Sequence, residues 1–266
     1  MNQENNRAIL VVSFGTSYEK TRKVTIDAIE KTIEAAYPEY RVYRAWTSKK
    51  IVAKLKKQEH FHVFTITEAM EQMLLDGIRE VIVQPTHMLN GFENDAMKEE
   101  VLAFKERFGA IVFGNPVLTD KSDCRAVIRA VAEEFSPLDK NTALVLMGHG
   151  TAHSANSVYA DLNRQFKEEG FLNIFLGTVE AYPGMDMLLD MVRKYSPRKV
   201  ILAPFMIVAG DHAQNDMAGA GEDSWVNQFT KAGFHTEPVM KGMGEYEGIR
   251  RLLVEHVGEA AVSLQI

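Results

Sequence analysis

The chain has 266 residues, 46% of them apolar and 25% charged, which fits one long or two short globular domains and excludes a disordered or fibrous chain. Thirty Lys and Arg against 36 Asp and Glu leave a net charge of −6, against the clustered cations of a nucleic-acid or membrane-surface binder. A single cysteine, Cys124, allows no intrachain disulfide. The most apolar run, residues 200–210, falls well short of the ~18 residues of a membrane span.

In chain order, short aliphatic runs alternate with amphipathic stretches. The polar start, residues 1–7, gives no secretory leader, so a cytoplasmic location is expected. Strands are predicted at 8–13, 41–45, 81–84, 111–113, 143–147, 174–179 and 200–204, mostly apolar on both faces, as in parallel sheets covered by helices. Helices are predicted at 20–36, 67–76, 94–108, 124–135, 157–169, 185–194 and 248–257. Such alternation predicts an α/β fold with parallel sheets.

The chain also repeats itself. Ile9-Leu-Val-Val-Ser-Phe-Gly-Thr16 matches Leu144-Val-Leu-Met-Gly-His-Gly-Thr151 at an offset of 135. Arg79-Glu-Val-Ile-Val-Gln-Pro85 matches Arg198-Lys-Val-Ile-Leu-Ala-Pro204 at 119, continuing to Gly91 against Gly210. The difference of 16 places an insertion in the first half, at residues 47–64. Two similar α/β domains are therefore expected, 1–138 and 139–266, meeting at the turn chemistry of residues 136–141. Open parallel sheets bind ligands beyond the carboxyl ends of their strands, so a cleft between the two sets of strand ends is the place to look for chemistry.

Three second-half strand ends carry reactive side chains: His149 between two glycines, Glu180, and His212 in Val208-Ala-Gly-Asp-His-Ala-Gln-Asn-Asp216. Two imidazoles and a carboxylate suit an open divalent-metal site for Co, Ni, Fe or Zn, or proton transfer near neutral pH. By the offsets, Phe14 stands where His149 does and Glu93 where His212 does, with Trp46 near the counterpart of Glu180. One lip would then hold metal ligands while the other offers aromatic surface and a carboxylate to a flat apolar ligand. His87, counterpart of Met206, is a candidate substrate contact, second proton carrier or accessory ligand, or equally a hydrogen-bonded structural histidine. Seven cations and no acid lie between Arg41 and Lys57. Arg44 and Lys49 are the candidates for anion contact, and Lys54, Lys56 and Lys57 are read as a solvated helix face. His153 either shares the site with His149 or lies outside it. His60, His62, His235 and His256 are read as surface residues.

The segments Val11-Val-Ser-Phe-Gly-Thr-Ser17, Met147-Gly-His-Gly150, Val179-Glu-Ala-Tyr-Pro183 and Val208 to Met217 resemble motifs of the anaerobic sirohydrochlorin cobaltochelatases, class II chelatases. The likeness extends through Arg44-Ala-Trp-Thr-Ser48 and Glu222-Asp-Ser-Trp225. It implies two α/β domains related by a pseudo-twofold with a cleft between them, and ATP-independent insertion of Co2+ into sirohydrochlorin with no organic cofactor. It further implies His149 as proton acceptor and metal ligand, with Glu180 and His212 completing the metal site and Glu180 also placed in the catalytic set. Substrate contacts are expected from Ser13, Phe14, Arg44, Trp46, His87 and Glu93, with the cations near Arg44 facing the acetate and propionate arms. Alternatives are an iron or nickel chelatase acting on the same tetrapyrrole, or a non-catalytic tetrapyrrole or metal carrier. Histidine phosphatases share His-Gly, but Gly148 stands where they carry arginine. Self-association into a homo-oligomer is left open.

Overall fold

The structure, a computed structural model, describes residues 6–57 and 61–264. His60 lies outside the described residues. β1 (Arg7–Ser13) is buried on both faces after Arg7, as a central parallel strand must be. With β2 (Arg41–Trp46), β3 (Glu80–Pro85) and β4 (Ala110–Phe113) it forms a parallel sheet in the order β2-β1-β3-β4. β5 (Thr142–Gly148), β6 (Ile174–Thr178), β7 (Lys199–Pro204) and β8 (His235–Pro238) repeat the pattern as β6-β5-β7-β8. Seven strands coincide with the predicted ones. β8 was not predicted, because its four residues are polar or proline and largely exposed at the sheet edge.

The sheet register bears out both offsets of the repeat. Thr86 N–H donates to Val12 O (2.8 Å) just as Phe205 N–H donates to Met147 O (2.7 Å). The first half's extra segment is a helix. Between β2 and β3 run α3 (Lys49–Lys56) and α4 (Ile66–Leu75), whereas β6 and β7 are joined by a single helix, Met185–Tyr195.

The predicted helix 20–36 is split into α1 (Glu19–Val24) and α2 (Ile26–Ala36) at Thr25, whose hydroxyl donates back to Thr21 O (2.6 Å). Such back-bonding bends a helix. The predicted helix 94–108 becomes α5 (Phe92–Leu102) and a separate 3₁₀ turn, Lys105–Arg107. α6 (Lys121–Glu134) starts at a capping box made by Asp120 and Asp123. α7 (Ser157–Glu168), α8 (Met185–Tyr195) and α9 (Trp225–Lys231) follow, α9 having gone unpredicted. Among the described residues no helix is long and apolar enough to cross a membrane.

α10 (Glu247–Ser263) follows the second sheet in the chain yet packs on α2, α6, β3 and β4 of the first half. Ile249, Leu253 and Val257 are fully buried there, each worth about 1.5–3 kcal/mol. A continuous core runs from Ile9 and Val11 through α6 and α10 to Leu144, Leu146 and Phe166, so the two sheets share one apolar interior. His256, expected at the surface, is 2% exposed in this interface. Its Nδ1–H donates to Asn115 O and its Nε2–H to Asp123 Oδ1, each at 3.0 Å.

Candidate metal and tetrapyrrole site

The carboxyl ends of the two sheets open onto a cleft of about 840 Å³ lined from both halves of the chain. That volume lies in the range of sites for organic ligands of drug or cofactor size. Backbone ladders extended past the strands set its walls. Glu180 N–H donates to His149 O (3.0 Å), and the matching bond in the first half is Ser48 N–H to Phe14 O (3.2 Å). The structural counterpart of Glu180 is therefore Ser48, not Trp46. Trp46 pairs with Ser13 as Thr178 pairs with Gly148.

Gly15 and Gly150 occupy equivalent turns with φ of 98° and 85°, a region that favours glycine. A Cβ on Gly150 would sit 2.9 Å from Ala181 and Thr178, so the turn that presents His149 requires the smallest residue.

His149, Glu180 and His212 converge: one ligand atom from each lies within 4.8 Å of the others. The imidazole centroids are 4.6 Å apart at 86°, and Glu180 Oε2 is 3.8 Å from His149 Nδ1. An Nδ1–H donating to Gly150 O (2.7 Å) leaves the lone pair of His149 on Nε2. In His212 the same tautomer is set by Asp216, whose Oδ2 accepts from Nδ1–H at 2.6 Å. The carboxylate behind the imidazole fixes the tautomer and orients the ring as a ligand. The pair spans one turn of a π-helical segment, Ala213–Met217, a type of turn frequent at functional sites. Asp216 was missed as a functional residue, although its four-residue spacing from His212 was visible. Two neutral imidazoles and a carboxylate with open positions are a donor set for a borderline divalent ion.

The other predicted contacts divide. Ser13, Phe14, His87 and Glu93 line the cleft, Phe14 with 45% of its surface exposed. Trp46 does not. It is 1% exposed, packed with Ile26, Val52, Leu55 and Val63, and Gly15 lies so close that a Cβ there would be 2.5 Å from the indole. Arg44 is also withdrawn from the cleft. Its guanidinium donates to Glu30 (2.8 Å from Nε) and to Asp27, acids on α2, and the surface depression above it lies outside the cleft. Lys49 does not line the cleft either. Lys50 and Lys54, one turn apart on α3, do, and Lys54 Nζ reaches Ser17 Oγ (3.3 Å). Lys54 is exposed on a helix, as expected, and the solvent it faces is that of the cleft. His153 stands at the rim, its ring edge-on to Phe92 (4.9 Å) and 3.6 Å from Asp95.

Enclosure by the cleft walls raises the pKa of the Glu93 carboxyl, opposed by His149. His87 is 7% exposed, and neither ring nitrogen has a hydrogen-bond partner among the described residues. Leaving such a buried group unpaired costs about 1–3 kcal/mol.

Two matched parallel sheets with a largely apolar cleft across their carboxyl ends define a two-lobed α/β protein of the chelatase type. The chain belongs to the cobalt chelatase (CbiK) family, whose model matches residues 7–262. It is 35% identical over 254 residues, 96% of each chain, to a protein of Salmonella typhimurium named sirohydrochlorin cobaltochelatase. It is 27% identical over 265 residues, 97% of this chain and 92% of the other, to sirohydrochlorin cobaltochelatase CbiKC of Nitratidesulfovibrio vulgaris. The fold is similar to that of SirB from Bacillus subtilis, solved with Fe3+, at TM-score 0.69 and 15% identity, covering 98% and 97% of the two chains.

Proposed function

We propose that this protein inserts Co2+ into sirohydrochlorin, or its reduced precorrin-2 form, in the cytoplasm, without ATP or an organic cofactor. The convergence of His149, Glu180 and His212 in the shared cleft carries the reading, and the names of the two relatives support it. The lobes are taken as residues 1–138 and 139–266, each holding one sheet, with α10 of the second laid on the first.

Metal insertion exchanges one divalent cation for two pyrrolic protons. His149 Nε2, Glu180 and His212 Nε2 hold the ion loosely enough to surrender it to four ring nitrogens, and His149 takes a pyrrolic proton as the metal leaves it. Phe14 offers an exposed ring to the macrocycle face, and the cleft walls hold it over the metal. The test is catalytic cobalt insertion by substoichiometric protein, followed by visible absorbance, with Fe2+ and Ni2+ as competitors. One equivalent bound with no turnover would leave a carrier instead.

Two further outcomes are expected. Asp216→Asn should weaken Co2+ binding by about 10–100-fold, measured calorimetrically without tetrapyrrole, because the imidazole loses its orienting carboxylate. Lys50→Ala combined with Lys54→Ala should raise KM for the multiply carboxylated substrate about tenfold and flatten its salt dependence, leaving kcat unchanged. A KM independent of salt in the parent protein would remove α3 from substrate binding.

A further inference from the structure

The unpartnered imidazole of His87 lies in the first-half wall of the cleft, where the equivalent second-half position is the apolar Met206. Nearby, Asn94 is fully buried and its Oδ1 is also without a partner among the described residues. The amide is oriented by its other end. Asn94 Nδ2 donates to Asn90 Oδ1 (3.1 Å), and Asn90 Nδ2 donates to Thr119 Oγ1 (3.0 Å). A carbonyl oxygen without a partner is thus left near the imidazole, and Asn94 favours a proton on the ring. An acceptor waiting beside an unprotonated, solvent-excluded base is an arrangement suited to receiving a proton.

We propose that His87 accepts the second pyrrolic proton displaced on metal entry and that Asn94 Oδ1 holds the resulting imidazolium. The inference rests on the chelatase reading above. In the step, a pyrrole N–H bond breaks, its electron pair stays on nitrogen and forms the bond to Co2+, and the proton moves to the free ring nitrogen of His87. His149 takes the other proton, and His87 returns its own to water when the cleft empties. Burial lowers the His87 pKa to about 4, opposed by Asn94, so the imidazole enters the cycle neutral with its lone pair available. A weak base suffices, because a cation bound to one ring nitrogen acidifies the N–H groups that remain.

The experiment compares wild type, His87→Leu and His87→Gln in cobalt insertion, with Co2+ binding in the absence of tetrapyrrole measured by calorimetry. Both variants should lose about 10²-fold or more in kcat, while KM for sirohydrochlorin and the affinity for Co2+ change less than about threefold. Added imidazole should restore part of the rate in His87→Leu. Because the ring has no partner to lose, neither variant should melt below wild type. Unchanged kcat would overturn the proposal, as would a rise in KM alone, which marks an anchoring residue. Weakened Co2+ binding would also overturn it, since that marks a ligand. Absence of metallation by wild type would instead remove the chelatase reading itself.

Discussion

His149→Ala should lower the rate of cobalt insertion by about 10²–10⁴-fold, the usual contribution of a positioned general base, with the secondary structure unchanged by circular dichroism. His149 follows β5 on a turn whose geometry depends on Gly150, not on its own side chain, so the fold should tolerate the change. His212→Ala should be nearly as severe and should also abolish tight binding of Co2+ alone, because one imidazole and a carboxylate remain of three ligands. The double variant should fall little further than the worse single one, since groups that act as a unit are not additive. Wild-type rates in both single variants would dispose of the metal site.

The largest loss of stability should come from Asp123→Ala, about 3–5 kcal/mol in chemical denaturation. Asp123 is 5% exposed. Besides meeting His256 through Oδ1, it accepts N–H bonds from Thr119 (2.9 Å) and Asp120 (3.2 Å) through Oδ2. Its removal strands a buried imidazolium and removes the reciprocal half of the capping box of α6 together. The pH dependence has a definite sign. Burial lowers the pKa of His256, but the Asp123 carboxylate and the Asn115 carbonyl more than offset it, leaving it above that of a free imidazole. A group raised on folding stabilises fully below its unfolded pKa and loses that contribution as pH climbs through its folded pKa. Wild type should therefore lose stability as pH climbs above the ordinary imidazole range, and His256→Leu should show a flatter profile there.

The strands and strand-end chemistry were legible because they are local. Continuous aliphatic runs of β1, β3, β5 and β7 mark buried parallel strands, and His149, Glu180 and His212 each follow one of the second-half runs directly or after a short loop. What failed depended on tertiary partners. Arg44 was read as free to meet an anion because its own neighbourhood lacks acids, but the acids that pair with it, Asp27 and Glu30, come from α2. Trp46 was placed facing a ligand from an alignment two residues out of register, and the close approach of Gly15 that puts it inside has no signature in pattern or spacing. α3 was read only as a helix face carrying Lys54, Lys56 and Lys57, without bounds, and β8 was hidden by its polar edge composition. His256 carried no sign of burial, since its partners lie on α6 and in the segment before it.

The position of α10 bears on how the protein is made. The ribosome completes the whole first sheet, and then the second, before releasing the helix that covers α2 and α6. Throughout that interval the apolar surface awaiting Ile249, Leu253 and Val257 stays open to the solvent and to chaperones. Ordinary domain-by-domain maturation is thereby denied to the amino-terminal lobe, and an arrested nascent chain ending before residue 247 should be far more protease-sensitive in its first 138 residues than the finished protein.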